Sequence, residues 1–324
     1  MKICFMGTPD IAVPTLQVLL DHHEVVCVVT QPDRPKGRGN KLSAPPVKEL
    51  AIRHHIPVLQ PERARDPAFF AALKNHHFDV IVVIAYGQLL PETILTMCRH
   101  GALNIHGSLL PKYRGASPIQ SAIIQGEAIT GVTIMQMNVG MDTGDILLQK
   151  KIPIENHTSG DLFTLMGQVG AETLLEALAQ IENGSLTRTP QDETQATHAP
   201  MLTKEMGLID WTKTSQEIVC LVNGLNPWPV AYTLLGEMPL KIYKASPRES
   251  FAVSGGSKEK PTAKKPTPGT VLAADTKNGI VVQTGDGALA LAEVQAKGGK
   301  RMPSEEYVKG NPIEVDLIFL WKKI

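Results

Sequence analysis

Three side chains near the middle of the chain have types and spacing suited to acyl-group chemistry: Asn104, His106 and Asp142. Asn104 and His106 stand two apart in Ala102–His106, an apolar run that predicts a β-strand, so both point to one face. An amide donor beside an imidazole offers what a tetrahedral oxyanion requires, N–H groups aimed at the developing charge. His106 is also suited to moving a proton near neutral pH. Asp142 lies in the segment Val139–Asp145, where Gly140 and Gly144 permit a tight loop that pushes a carboxylate into a cleft. There it could hold His106 in one tautomer, assist proton transfer or orient a water. Residue type alone leaves blander readings open, a satisfied structural histidine and an Asx turn. The signal is the occurrence of all three at predicted strand ends. Ser108 is close to His106, but no Gly-x-Ser-x-Gly elbow is present, so a serine nucleophile is not expected.

Those positions need a scaffold. Ile3–Gly7, Glu24–Thr30, Ile56–Leu59, Asp79–Tyr86, Ala102–His106 and Val132–Met137 read as strands apolar enough to be buried on both faces. Helical patterns alternate with them, for example Ile11–His22, Pro46–His55 and Pro67–His76. The alternation predicts an α/β fold with an open, mostly parallel sheet, which binds ligands outside the carboxyl ends of its strands. Thr187–Met206 is polar and lacks an apolar run, and short strands with turn signals follow it. The predicted organisation is a catalytic domain over 1–188, a linker over 189–207 and a small β-rich domain over 208–324, arranged as a barrel. The run Gly255–Pro266, with its lysines Lys258–Lys265, is low in complexity.

Composition narrows the classes. A chain of 324 residues is long enough for two domains, each with its own core. Lys+Arg and Asp+Glu both number 32, so there is no chain-wide basic field for nucleic acid, although a local patch is allowed. No apolar run reaches the roughly 18 residues that a membrane helix needs, and the first residues are too short for a signal-peptide core. Four scattered cysteines without a CxxC pair predict reduced thiols in a cytoplasmic protein, and no metal. Gly7-Thr8-Pro9-Asp10 follows the first strand with one glycine where a dinucleotide site wants three, and no Gly-x-x-x-x-Gly-Lys-Ser/Thr loop is present. No nucleotide cofactor is therefore expected.

Two further segments flank the predicted strand ends. Gln31–Pro46 is long for a strand-to-helix connection and carries Arg34, Lys36, Arg38 and Lys41, with Lys48 and Arg53 just beyond. Such a loop suits phosphate contacts, and a solvated loop fits the same charges. Ala85–Pro91 ends the fourth strand, where Gly87 frees the backbone to bend and apolar side chains could hold a flat ring.

Taken in order, GTPD at Gly7–Asp10, QPDRPKGRG at Gln31–Gly39, AYGQLLP at Ala85–Pro91, NIHGSLLPKYRGASPIQ at Asn104–Gln120, GVTIMQMNVGMDTGD at Gly131–Asp145, IDW at Ile209–Trp211 and NPWP at Asn226–Pro229 resemble the folate-dependent formyltransferases. QPDRPKGRG together with NPWP narrows the resemblance to members that act on tRNA. It implies a Rossmann-like catalytic domain followed by an open, OB-like β-barrel that helps to bind tRNA. It implies 10-formyltetrahydrofolate as formyl donor and initiator Met-tRNA as acceptor, in a cytoplasmic monomer. The family's catalytic residues fall on Asn104, His106 and Asp142. Its folate contacts fall on Ser108, Leu109, Leu110 and Pro111, with Gln88 and Leu90 as weaker matches. Its tRNA-binding insertion falls on the Gln31–Pro46 loop, with Arg38 as the key residue and Arg34, Lys36 and Lys41 beside it. The chain departs from the pattern at Asn223-Gly224-Leu225, where relatives often carry Arg-Ala-Phe, and in its lysine-rich insert.

Two alternatives share parts of this reading. A formyltransferase acting on a small amine would use the same three residues but would need neither the basic insertion nor a second domain. A non-catalytic RNA-binding protein would bind no folate. The basic loop yields one expectation: Arg38→Ala weakens tRNA use, read as a raised tRNA KM or lowered rate, while folate binding stays intact. Unchanged tRNA kinetics would leave the stretch a solvated loop.

Overall fold

The structure, a computed structural model, describes residues 1–36, 41–248 and 266–320. Arg38 and the Lys258–Lys265 insert lie outside the described residues, as do the side chains of Lys36 and Lys41. Contacts divide the chain into two units. The first comprises Met1–Ile119, Ala128–Ile154 and Asp161–Pro200, and the second Gln120–Glu127, Glu155–Gly160 and Met201–Ile324.

The first unit opens with β1 (Lys2–Gly7), α1 (Val13–His22), β2 (Glu24–Val29), the short strands β3 (Arg34–Lys36) and β4 (Lys41–Ser43), α2 (Pro46–Arg53) and β5 (Val58–Leu59). It continues through α3 (Pro67–Lys74), β6 (Val80–Ile84), α4 (Glu92–Leu95), β7 (Ala102–His106) and β8 (Arg114–Gly115). After α5 (Pro118–Ile124), most of which belongs to the second unit, come β9 (Ile129–Gln136), β10 (Ile146–Pro153), the long helix α6 (Ser159–Glu182), which lies in the first unit from Asp161 on, and β11 (His198–Ala199). The main sheet has seven strands in the order β10-β9-β7-β6-β1-β2-β5. From β5 to β7 neighbouring strands are parallel, and every residue of β6, VIVVI, is buried, as expected for a strand covered on both faces. The order reverses between β1 and β6, the place where an open α/β sheet leaves a crevice at its strand ends.

β9 departs from the parallel arrangement. It runs antiparallel to β7, with Leu103 opposite Gln136 and His106 opposite Thr133. The carboxyl end of β9 therefore lies at the amino end of β7, and the Asp142 loop has to turn back to reach His106. β10 and α6 go beyond the elements predicted above. β10 is an edge strand whose middle residues, Gln149, Lys150 and Lys151, are polar and exposed, so it lacks the long apolar run that marks a central strand. The stretch expected to be a linker is bonded along much of its length: Thr189 pairs with Ile146, and β11 runs parallel to β8. The basic Gln31–Pro46 stretch holds an antiparallel pair, β3 with β4, in which Arg34 faces Ser43.

The second unit holds α7 (Ser215–Gly224), β12 (Ala231–Leu235), β13 (Met238–Arg248), β14 (Val271–Asp275), β15 (Gly279–Gln283), β16 (Ala288–Ala296), β17 (Met302–Pro303) and α8 (Ser304–Gly310). Helix α7 opens on a capping box, Thr214 with Glu217. The antiparallel sheet runs β12-β13-β16-β15-β14, with β17 on β16. It is strand-rich and open along this path, and the sheet does not itself establish the OB-like barrel that was expected. Residues 317–320 lie across both of its edges: Leu320 exchanges backbone hydrogen bonds with Leu234 of β12, and Leu317 O accepts from Val271 N of β14 at 2.8 Å. Phe319 drops into the core and meets Trp211, ring centroids 6.1 Å apart, both fully buried. Phe319→Ala is accordingly expected to cost about 3–5 kcal/mol, read as a lowered denaturation midpoint of this unit.

Candidate active site

The end of β7 carries the site. Alternation along the strand turns Leu103 and Ile105 to one face and Asn104 and His106 to the other. His106 is 5% exposed, and its Nε2 lies 2.9 Å from the carbonyl oxygen of Tyr113. A carbonyl only accepts, so Nε2 carries the proton. Nδ1 faces Asp142, 3.6 Å from Oδ2, a separation beyond hydrogen-bond reach. The tautomer of His106 is thus set by a backbone carbonyl, not by Asp142. Asn104 is half-buried, and its side-chain amide has no hydrogen-bond partner among the described residues.

Asp142 is fixed from elsewhere. Its Oδ2 accepts from the Gly115 backbone N–H at 2.8 Å. Gly115 has φ +119°, and a Cβ there would stand 2.6 Å from the Ala199 carbonyl of the paired strand, so only glycine fits. The Asp142 loop is tight. Asp142 itself sits at φ +55°, and a Cβ on Gly144 would collide with the Gln136 carbonyl. Asn138 Oδ1 closes the other side by accepting from Gly140 N and Thr143 Oγ1.

Sequence reasoning missed three residues around this loop: Arg114, Gln191 and Glu193. Gln191 Nε2 donates to the carbonyls of Asp142 and Gly144, and its Oε1 accepts from Arg114. Arg114 forks onto both carboxylate oxygens of Glu193, each at 2.8 Å. Hydrogen bonding to Arg114 holds the Glu193 carboxyl below the usual carboxylate range. The one hint in the sequence was polarity without an apolar run at 187–206, and polarity does not distinguish a solvated tether from a strap bonded through amides.

The turn after β7 is equally constrained. Thr133 Oγ1 donates to Ser108 O at 2.6 Å, and Leu110 N donates to Thr133 Oγ1. Gln149 Nε2 donates to Leu110 O and to Thr133 Oγ1. Ser108 Oγ donates to the Lys112 carbonyl, not to His106. Leu110 is 3% exposed and packs inward, and Leu109 lies over Gly131. Pro111 follows a cis peptide bond.

In the segment after β6, Gln88 is spent on the backbone, accepting from Ala64 N and donating to Glu62 O. Leu90 is buried in the core, whereas Leu89 is 70% exposed. The loops after β1, β2 and β6 are laced together: Thr8 Oγ1 and Gln31 Nε2 both donate to the Tyr86 carbonyl. The start of β3 is braced, where Lys48 Nζ donates to both Asp33 oxygens at 2.8 Å and to Gln60. That contact holds the Asp33 carboxyl below its usual range. Arg34 is exposed on β3. Among the described residues no group of three or more His, Cys, Asp or Glu could hold a metal ion, and no helix is long and apolar enough to cross a membrane.

Comparison with known proteins identifies the family. A formyl transferase profile matches residues 1–178, and a profile for the formyl transferase C-terminal domain matches residues 201–312. The chain is 48% identical over 320 residues to a methionyl-tRNA formyltransferase of Clostridioides difficile, covering 98% of this chain and 99% of that one. It is 46% identical over 316 residues to a methionyl-tRNA formyltransferase of Geobacter metallireducens, covering 97% of each. Its fold is similar to WlaRD, a sugar 3N-formyl transferase solved with dTDP and 5-N-formyl-THF, with a TM-score of 0.65 at 20% identity over 93% of this chain and 99% of that one. HypX from Aquifex aeolicus, solved with tetrahydrofolic acid, gives a TM-score of 0.63 at 21% identity over all of this chain and 50% of that one. The chain belongs to the formyl transferase family, alongside the methionyl-tRNA formyltransferases.

Proposed function

We propose that the chain transfers the formyl group of 10-formyltetrahydrofolate to the α-amine of initiator Met-tRNA. The observation that carries the chemistry is the unpartnered Asn104 amide beside His106 and Asp142 at the carboxyl end of β7. The acceptor is supported by the relatives named above and by the paired strands β3 and β4, with Arg34 exposed on β3. The donor is supported by a turn at Ser108–Pro111 whose backbone is held in place, with Leu109 beside it. Gln88 and Leu90 contribute to this pocket by shaping its wall, since both side chains are already engaged inside the fold. An OB-like barrel in the second unit, contacting tRNA, completes the reading, with residues 317–320 spanning the two sheet edges.

The reaction is direct acyl transfer. The neutral amine of Met-tRNA attacks the formyl carbon, forming a C–N bond while the carbonyl π pair moves to oxygen. Asn104 donates its free N–H to that oxyanion. Nε2 of His106 is held by Tyr113, so Nδ1 is the nitrogen available to the reacting atoms. Asp142, anchored by the Gly115 N–H, takes the amine's proton directly or through a water. That proton passes on to N10, which leaves with the C–N bond pair as tetrahydrofolate while the oxyanion's electron pair re-forms the carbonyl. No enzyme-bound covalent intermediate is involved, in keeping with Ser108 Oγ being committed to the Lys112 carbonyl. Four free cysteine thiols fit a reducing, cytoplasmic setting.

The test compares initiator Met-tRNA, elongator Met-tRNA and free methionine as acceptors. Selective formylation of the initiator is expected. Folate binding without transfer to any tRNA would move the acceptor to a small amine. Asn104→Ala should lower kcat by at least about 10²-fold, the usual loss for one oxyanion donor, and His106→Ala by at least about 10²-fold through loss of the acid–base group whose Nδ1 faces the reacting atoms. Wild-type turnover in either variant would overturn the assignment.

A further inference from the structure

Asp142 occupies left-handed backbone at φ +55°, a conformation that residues other than glycine adopt only when their surroundings impose it. Within the loop, the Asn138 side chain closes the turn at Gly140 and Thr143, not at Asp142. The restraint comes from Gln191. Both N–H bonds of its side-chain amide are used, one on the Asp142 carbonyl at 2.8 Å and one on the Gly144 carbonyl at 2.7 Å. The same amide's oxygen accepts from Arg114 Nε and Nη2 at 3.0 and 2.8 Å, which fixes which end of the amide faces the loop. Arg114 in turn is gripped by Glu193 and is only 11% exposed. The residue after Arg114 is Gly115, whose N–H holds the Asp142 carboxylate. Backbone and side chain of Asp142 are therefore held by one cluster, from two sides.

We propose that Gln191 is a positioning residue for Asp142, with Arg114 and Glu193 acting as the brace that orients Gln191. The proposal rests on the functional reading of Asp142 given above. It assigns the segment after α6 a part in the site, placing the carboxylate opposite His106 Nδ1. An amide is needed at 191, because a carboxylate has no N–H to give to two carbonyls. A carboxylate displaced by about an ångström loses its alignment with the attacking amine, a loss of about 10–100-fold in rate.

A double-variant cycle separates positioning from mere support. Gln191→Ala should lower kcat about 10–100-fold, with KM for 10-formyltetrahydrofolate and Met-tRNA within about twofold of wild type. Gln191→Glu should do no better than Gln191→Ala. In the Asp142→Asn background, itself slowed at least about 10²-fold, Gln191→Ala should cost less than about twofold more. Thermal unfolding of each variant is followed in parallel, and if Gln191→Ala unfolds, the cycle is run with Gln191→Met, which keeps volume and removes both donors. Losses that multiply in the double variant, or a wild-type kcat for the single Gln191 variant, overturn the proposal. A wild-type kcat for Asp142→Asn would instead overturn the role of Asp142, a failure distinct from that of Gln191.

Discussion

A single backbone N–H, that of Gly115, decides where the Asp142 carboxylate stands. For that N–H to point at the carboxylate, β8 has to pair with β11, and the pairing allows no side chain at position 115. The Asp142 loop in turn has to fold back over the sheet, because β9 descends antiparallel from the level of His106. The result is an imidazole and a carboxylate that face each other at 3.6 Å without being hydrogen-bonded, each satisfied by a different backbone group. A carboxylate locked onto its histidine would have one oxygen committed to the ring, whereas here that contact is left loose.

Much of this was legible in the chain. Four of the parallel strands, β1, β2, β6 and β7, announce themselves as apolar runs because burial on both faces leaves no room for alternation. Asn104 and His106 could be placed on one face because the strand period is two. Their partner Asp142 was legible only as a carboxylate between glycines. The antiparallel turn that delivers it depends on pairing between β7 and β9, which residue type does not specify.

What stayed hidden shares one cause. Gln191, Arg114 and Glu193 form contacts across some 77–79 residues of sequence, and each is a type that is most often solvated. A local reading of 187–206 sees polar residues and infers slack, whereas the side-chain amides there are satisfied by backbone carbonyls of a loop far away in sequence. Gln88 and Leu90 show the converse. Their neighbourhood was located, but the outward side chain is that of Leu89, because positive φ at Ala85 and Gly87 resets the alternation after β6.

The strap formed by residues 189–200 and the edge-spanning segment at 317–320 also order the chain in time during synthesis. The candidate site is complete as a contact unit once Pro200 has been made and can move freely. The second sheet is different: β12 is made early, yet its outer edge finds its partner at Leu320 only when residues 317–320 arrive. Throughout that interval a nascent chain presents a folded first unit together with bare strand edges, the kind of surface on which neighbouring chains on a crowded polysome pair by mistake.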